Sequence, residues 1–360
     1  MAERVVAAVA PASFGPSRSG PTAAHPERPG FSATRLLRLI DESIADCRLD
    51  LSGTAVLTEA ACGAYAVTAV LAARAGARRV TALVRDSRHC TAGEAADATL
   101  ALARVAGVQE RITVTAERRR QDVAEADIVT NSGHVRPIDA AMVGWMKPTA
   151  VVSLMFEAWE LQAGRIDVDL DALRRRRLAF AGTSERHRAV GVFGYLGVMA
   201  VRLLLDAGLP VHRSRIALLC DNPFRDYLET GLKGAGAEIR SAEAAADLDP
   251  AWRPDAVLVA LRPREVAAVG ALEAALIAER WPGVVVAQFW GDLDRAALER
   301  AGLLYWPLGA PAQGHMGVLP SDVGPDPVVR LQAGGLKVGA VLLTPPVRRS
   351  DFDLEFLDEL

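Results

Sequence analysis

The sequence predicts an α/β protein of two doubly wound parallel-sheet domains joined by a long helix. Three observations carry that expectation. Segments that are apolar throughout, such as Thr54–Ala61 (TAVLTEAA) and Thr149–Ala158 (TAVVSLMFEA), alternate with helical ones. Strands of that kind belong to a parallel sheet covered on both faces. The alternation pauses at Ala189–Leu209, an apolar run read as one helix, and then restarts. Finally, the chain has 360 residues, a length at which a single core ordinarily divides in two.

The elements follow in order. Residues 1–30 are rich in Pro, Ser, Gly and Ala and predict an extended arm. Ser32–Cys47 places Leu36, Leu37, Ile40 and Ile44 at helical spacing, with Ser32 as N-cap. Thr54–Ala61 is the first strand, and Gly63–Ala77 a helix that Gly76 closes. Arg78–Asp86, Arg111–Glu117, Ala126–Gly133 and Thr149–Ala158 are strands, with helices at Ala92–Val108 and Pro137–Met146. Beyond Leu209, Arg215–Asp221, Ala237–Ala242, Asp255–Leu261, Val284–Trp290 and Leu303–Leu308 read as strands with helices between them, one of these at Leu293–Ala301. Pro325–Leu343 is a final helix able to cross back to the first domain. The expected division is an arm at 1–30, a first domain at 31–187, a linking helix at 188–212 and a second domain at 213–345.

Composition narrows the function. Hydrophobic residues make up 51% of the chain, enough for two cores, and a net charge of -3 gives no general attraction to nucleic acid or anionic membrane. The runs Arg118–Arg120 and Arg174–Arg177 lie beside acids and read as solvated faces. Cys47, Cys62, Cys90 and Cys220 lack zinc-site spacing and suggest neither a metal site nor a disulfide framework. No stretch is long enough to span a bilayer, and the apolar run near the N-terminus is too short for a signal peptide. A cytoplasmic enzyme with a small-molecule substrate is the expectation, and homodimerisation follows only from the fold class.

The first strand-to-helix turn, Thr58–Ala66 (TEAACGAYA), stands where a dinucleotide-binding domain carries G-x-G-x-x-G. Gly63 is the one glycine there, flanked by Cys62 and Ala64. The second strand ends in Val84-Arg85-Asp86-Ser87-Arg88. Cations and a hydroxyl at that place suit a 2'-phosphate, as an acid suits a ribose hydroxyl. The segment resembles the strand end of shikimate-dehydrogenase-like NADP domains, in which an Asn-Arg-Thr triplet holds the phosphate. The resemblance implies a Rossmann-like domain with Arg85, Ser87 and Arg88 as phosphate ligands, Asp86 being its departure. A solvated capping cluster is the alternative. Val56–Ala66 (VLTEAACGAYA) also resembles motif I of class I methyltransferases. That resemblance implies S-adenosylmethionine and an acid at the end of the second strand, where Val84 stands.

Asn131–Pro137 (NSGHVRP) follows the fourth strand. Asn131 and Ser132 are expected at the cofactor, and His134 as a proton donor to a carbonyl. Glu157 and Glu160, in Phe156–Glu160 (FEAWE), stand where they could orient a histidine; packing around Trp159 is the alternative. Asp167–Thr183 (DVDLDALRRRRLAFAGT) resembles the passage between domains in formate/glycerate dehydrogenase-like enzymes, the D-2-hydroxyacid dehydrogenases. Their Arg, Glu and His trio has no counterpart by motif, and the turn Cys220–Leu228 holds no glycine. In Pro311–Gly339, His315 sits in a Gly-His-Met-Gly turn, and Arg330 opens the last helix as a carboxylate clamp or as a pin between domains.

Together these readings give an NADP(H)-dependent oxidoreductase acting on a small carbonyl or imine substrate that bears a carboxylate, held between the domains. His134 or His315 would donate the proton and Arg330 would hold the carboxylate. An S-adenosylmethionine-dependent methyltransferase and a non-catalytic Rossmann-like protein remain open alternatives, and which domain binds the nucleotide is undecided.

Overall fold

Two parallel sheets organise the chain in the computed structural model, which describes residues 28–158, 160 and 167–359. Most of the arm expected at 1–30, and Trp159, lie outside the described residues. The first sheet contains β1 (Ala55–Glu59), β2 (Arg79–Leu83), β3 (Ile112–Thr115), β4 (Ile128–Thr130), β5 (Val151–Ser153) and β6 (Ala179–Thr183). Their order is β3-β2-β1-β4-β5-β6, and β12 (Leu357–Asp358) adds to β6 antiparallel. The second contains β7 (Arg215–Leu219), β8 (Glu238–Ala242), β9 (Ala256–Ala260), β10 (Val285–Trp290) and β11 (Leu304–Trp306) in the order β8-β7-β9-β10-β11. Counted from its own first strand, each order is a doubly wound one: 3-2-1-4-5-6 for the first sheet and 2-1-3-4-5 for the second.

Each sheet has a core on either face. On one face of the first lie α1 (Ala33–Asp46), α2 (Val67–Arg74), α3 (Ala92–Val105) and α11 (Asp326–Leu343). On the other lie α5 (Ala140–Trp145) and α6 (Leu170–Arg176), beside α4 (Arg120–Glu125). The second sheet is covered by α7 (Leu196–Asp206) and α8 (Arg225–Gly234) on one face, and by α9 (Ala271–Arg280) and α10 (Arg295–Arg300) on the other. A short α12 (Asp351–Leu354) precedes β12. Strands buried on both sides have no polar face to show, which is why they read as unbroken apolar runs.

Two expectations change. Ala189–Leu209 is not one helix: Gly191 turns the chain at φ +60, a 3-10 turn spans Val192–Tyr195, and α7 begins at Leu196. The Gly197–Gly231 contact seats α7 on α8, where a Cβ at position 197 would meet the Gly231 Cα at 2.5 Å. A disulfide joins Cys62 and Cys90, with Cα atoms 6.6 Å apart and a sequence separation of 28. That spacing carries no signal, because the two loops meet only once β1 and β2 pair. Gly334 and Gly335 let α11 pack closely, their backbone lying against Val190, Thr183 and Met155.

Candidate active site

The polar groups gather at the carboxyl ends of β1 and β4. Glu59 closes β1, 5% exposed. The His134 backbone N–H donates to its Oε2 at 3.1 Å. Burial pushes the Glu59 carboxyl up, against the pull of the His134 and Gly133 N–H groups and of the Arg136 charge. Beneath it the hydroxyls of Thr58, Thr130 and Ser132 form a buried cluster, Thr58 Oγ1 lying 3.0 Å from Ser132 Oγ and 2.9 Å from Thr130 Oγ1. Ser132 therefore sits under the site. Asn131 is 2% exposed, and its Oδ1 accepts from the Met155 N–H at 2.7 Å. That bond turns Nδ2 the other way, where it has no partner among the described residues.

The turn after β1 is tight without a glycine fingerprint. Gly63 carries its one positive φ, +61, and nothing lies within 4 Å of an added Cβ, so the requirement is conformational. Ala64 is buried beneath it. Cys62 stands at the second glycine position with its sulfur bonded to Cys90, not free for a cofactor. Tyr65 follows, its phenol pushed up to about 12 by burial first, then by the charges of Glu59, Asp322 and Glu185.

Beyond β2 the chain forms a self-capped loop. Asp86 accepts from the Ala92 N–H at 2.8 Å, and Thr91 with Glu94 makes a capping box for α3. The departure at Asp86 thus has a local cause. Ser87 Oγ accepts from the N–H groups of His89 and Cys90, and Arg88 Nε donates to His89 Nε2. Both residues serve the loop as it stands. Arg85 reaches the other way and donates to the carbonyls of Gly133 and Arg136 at 3.2 and 2.8 Å. Arg118, just beyond β3, donates to the Val135 carbonyl at 2.8 Å. Burial lowers the Arg118 pKa, Asp139 raises it and Arg85 lowers it again.

Arg85, Arg118, His134, Leu83, Ala116 and Trp145 line a cavity of about 270 Å³. Its lining holds two guanidiniums, an imidazole and an indole, and no carboxylate. His134 Nδ1 lies 2.9 Å from the Ala60 carbonyl. A carbonyl only accepts, so Nδ1 carries a proton and Nε2 is the nitrogen left to face the cavity. The cavity lies at the ends of β2, β3 and β4, the side of a dinucleotide fold that receives adenosine. Arg118 is the residue that sequence reasoning missed: its run reads as a solvated face, although its place after a strand is the available signal.

The remaining candidates lie elsewhere. Arg330 is not a free clamp: its guanidinium donates to Asp326, Asp46 and the Ala189 carbonyl at 3.1, 3.2 and 3.3 Å. It pins α11 to α1 and to the chain between the sheets. Glu157 accepts from the Glu185 N–H at 3.0 Å and lies 3.5 Å from Arg186 Nε. His315 is exposed on a loop held over the second sheet. There Trp290 Nε1 donates to the Gly314 carbonyl, Asp292 accepts from the Gly314 N–H, and Gly317 lies against the Gln288 carbonyl. The far end of that loop reaches the first domain, where the Asp322 charge acts on Tyr65.

No helix among the described residues is long and apolar enough to cross a membrane. No family model matches the chain, and no curated protein does. Solved structures do resemble it. A dipicolinate synthase from Bacillus halodurans aligns at 12% identity over 82% of this chain and 100% of its own, with a TM-score of 0.50. The dipicolinate synthase of Bacillus subtilis aligns at 11% identity over 79% and 95%, with a TM-score of 0.48. NAD-dependent formate dehydrogenase from Staphylococcus aureus, in complex with NAD, aligns at 9% identity over 80% and 93%, with a TM-score of 0.46. Such identities speak of fold alone, and the Bacillus halodurans likeness carries the assignment: the chain has the two-domain Rossmann architecture to which its Asp167–Thr183 passage pointed.

Proposed function

We propose that the chain is an oxidoreductase that binds a nicotinamide dinucleotide at the carboxyl edge of the first sheet, with NADP(H) preferred. The observation that carries this reading is the Arg85–Arg118 pair in a cavity whose lining holds no carboxylate. Two fixed cations with spare N–H donors suit a phosphate, and a planar guanidinium can also lie against adenine. Pyrophosphate would pass over Gly63, which opens the 3-10 turn leading into α2. Asn131 Nδ2, buried just beyond β4 with no partner among the described residues, offers a donor to the cofactor beyond the pyrophosphate. These features fit the group, which when bound supplies the hydride chemistry.

The remaining roles fall to this chain's own residues. His134 belongs to the adenosine side in this reading, not to proton transfer. His315, on the loop that spans the edges of both sheets, takes the proton-donating role, and Arg330 has no part in substrate binding. The substrate class proposed is a small carbonyl or imine compound bearing a carboxylate, in the cleft between the sheets. The methyltransferase alternative lacks support at Val84, which is 5% exposed and offers no acceptor to a ribose.

The test is direct titration of the fully reduced protein with NADPH, NADH and S-adenosylhomocysteine. NADPH should bind most tightly. Tighter binding of S-adenosylhomocysteine, or of none of the three, overturns the proposal.

A further inference from the structure

In a dinucleotide fold the ribose lies between two places: the turn after the first strand, which carries the pyrophosphate, and the end of the second strand, which holds the ribose hydroxyl or its phosphate. Here a covalent bond crosses that interval. Cys62 stands in the turn after β1, Cys90 in the loop after β2, and their Cα atoms are 6.6 Å apart. Both residues are half-buried, within reach of a soluble thiol. The other two cysteines, Cys47 and Cys220, are buried and free. The one oxidised pair is therefore also the accessible one.

The loop that carries Cys90 has few other ties to the turn. The hydrogen bonds of residues 86–90 among the described residues stay within the segment 86–92: Ser87 with His89 and Cys90, Arg88 with His89, and Asp86 with Ala92. Arg85, one residue earlier, is anchored independently to the loop after β4. Breaking the sulfur–sulfur bond would free residues 86–90 from the turn while leaving Arg85 and the cavity wall in place.

We infer that Cys62 and Cys90 form a reversible redox site that closes the ribose seat when oxidised and opens it when reduced. The inference rests on the nucleotide placement proposed above. In the opening step, a dithiol such as dithiothreitol attacks the bond. It delivers two electrons and two protons, gives two cysteine thiols and leaves as its own cyclic disulfide. Oxidised glutathione reverses the step and leaves as two molecules of the reduced thiol. In the open state the segment bearing Ser87 and Arg88 can shift as a unit around the 2'-phosphate, and the interval between the two loops admits the ribose.

The experiment measures the affinity of NADPH, and of adenosine 2',5'-bisphosphate as a probe lacking the nicotinamide half, for the full chain in both states. Alkylation after denaturation fixes the state: Cys47 and Cys220 alone should label in the oxidised protein, and all four cysteines in the reduced one. We expect at least about tenfold tighter binding of both probes on reduction, the equivalent of one good hydrogen bond to a charged group. The variant Cys62→Ser/Cys90→Ser should bind like the reduced protein whatever the redox buffer. Equal affinity in the two states, or tighter binding when oxidised, overturns the redox site and leaves the nucleotide reading standing. Absence of binding in both states and in the variant overturns the nucleotide reading and the redox site with it.

Discussion

The carboxyl edges of the two sheets share a plan and differ in chemistry. At the first, Thr58, Glu59, Thr130, Asn131, Ser132, Ser153 and Thr183 are all buried polar residues on or beside strand ends; the second contributes Gln288 alone among the described residues. The first turn of the second sheet is sealed by its own side chains. Asn222 donates to the Ala260 carbonyl and accepts from the Phe224 N–H, and Arg225 donates to the Cys220 carbonyl. The shallow depression beside it is of mixed charge, lined by Asp221, Asp226 and Glu243 together with Arg225 and Arg262. Buried polar groups collect where a fold positions them with partners, and the contrast supports the proposed reading, in which the first edge holds the ligand and the second covers it.

Five substitutions would sharpen or break that contrast. His315, on the covering side, should contribute to turnover and not to nucleotide affinity. Once a substrate is in hand, His315→Asn should lower kcat about 100-fold or more, the usual share of a general acid. An unchanged kcat removes it from the mechanism. On the binding side, Arg85→Glu should weaken NADPH by about 10- to 100-fold, the loss of a charge-assisted hydrogen bond, and leave NADH nearly unaffected. Arg262→Glu at the second edge should change neither, and a loss there as large as at Arg85 would reverse the assignment of the edges.

The next effect is on stability. Gly335 lies so close to Met155 that a Cβ would meet its Sδ at 1.8 Å. Gly335→Ala should cost about 1–3 kcal/mol through overpacking, read as a lower denaturation midpoint. The first domain, against which α11 packs, should loosen while the second stays intact.

The smallest effect is a pH dependence. His187 is buried against Phe352 and Phe356, and burial, ahead of the opposing Glu355 charge, lowers its pKa from 6.5. The unfolded chain therefore takes up the proton first. Stability is complete above about 6.5 and falls as the pH drops below it. Asp353 does not confuse this window. Burial pushes its carboxyl up, the Lys337 and Ser350 hydrogen bonds outweigh burial, and it settles at about 2, so its contribution is lost only below the ordinary carboxylate range. Tm between pH 7 and pH 5.5 should fall more steeply in the wild-type protein than in His187→Gln, and parallel slopes would contradict the buried neutral imidazole.

The strands were legible because burial on both faces leaves an apolar run that little else in a sequence imitates. Contacts between distant segments were not. Arg118 sits in a triple-arginine run that looks like a solvated surface until β3 places it opposite Arg85. Arg330 has the composition of a clamp, and only the fold brings Asp46 and Asp326 to its guanidinium. The Cys62–Cys90 bond depends on the pairing of β1 with β2, and β12 on a C-terminal tail too short to show a period. The long helix failed for a different reason: apolar composition persisted through Gly191 and Gly194, but a left-handed turn at Gly191 ended its regularity. Candidate residues could thus be named from their places after strands, while their partners waited on topology.

Hydrogen exchange on the reduced protein, with and without saturating NADPH, tests the central claim most directly. The account predicts new protection confined to the turn after β1, the loop after β2 and residues 131–136. Protection centred instead on residues 220–226 and 261–264 would place the nucleotide on the second sheet and contradict it.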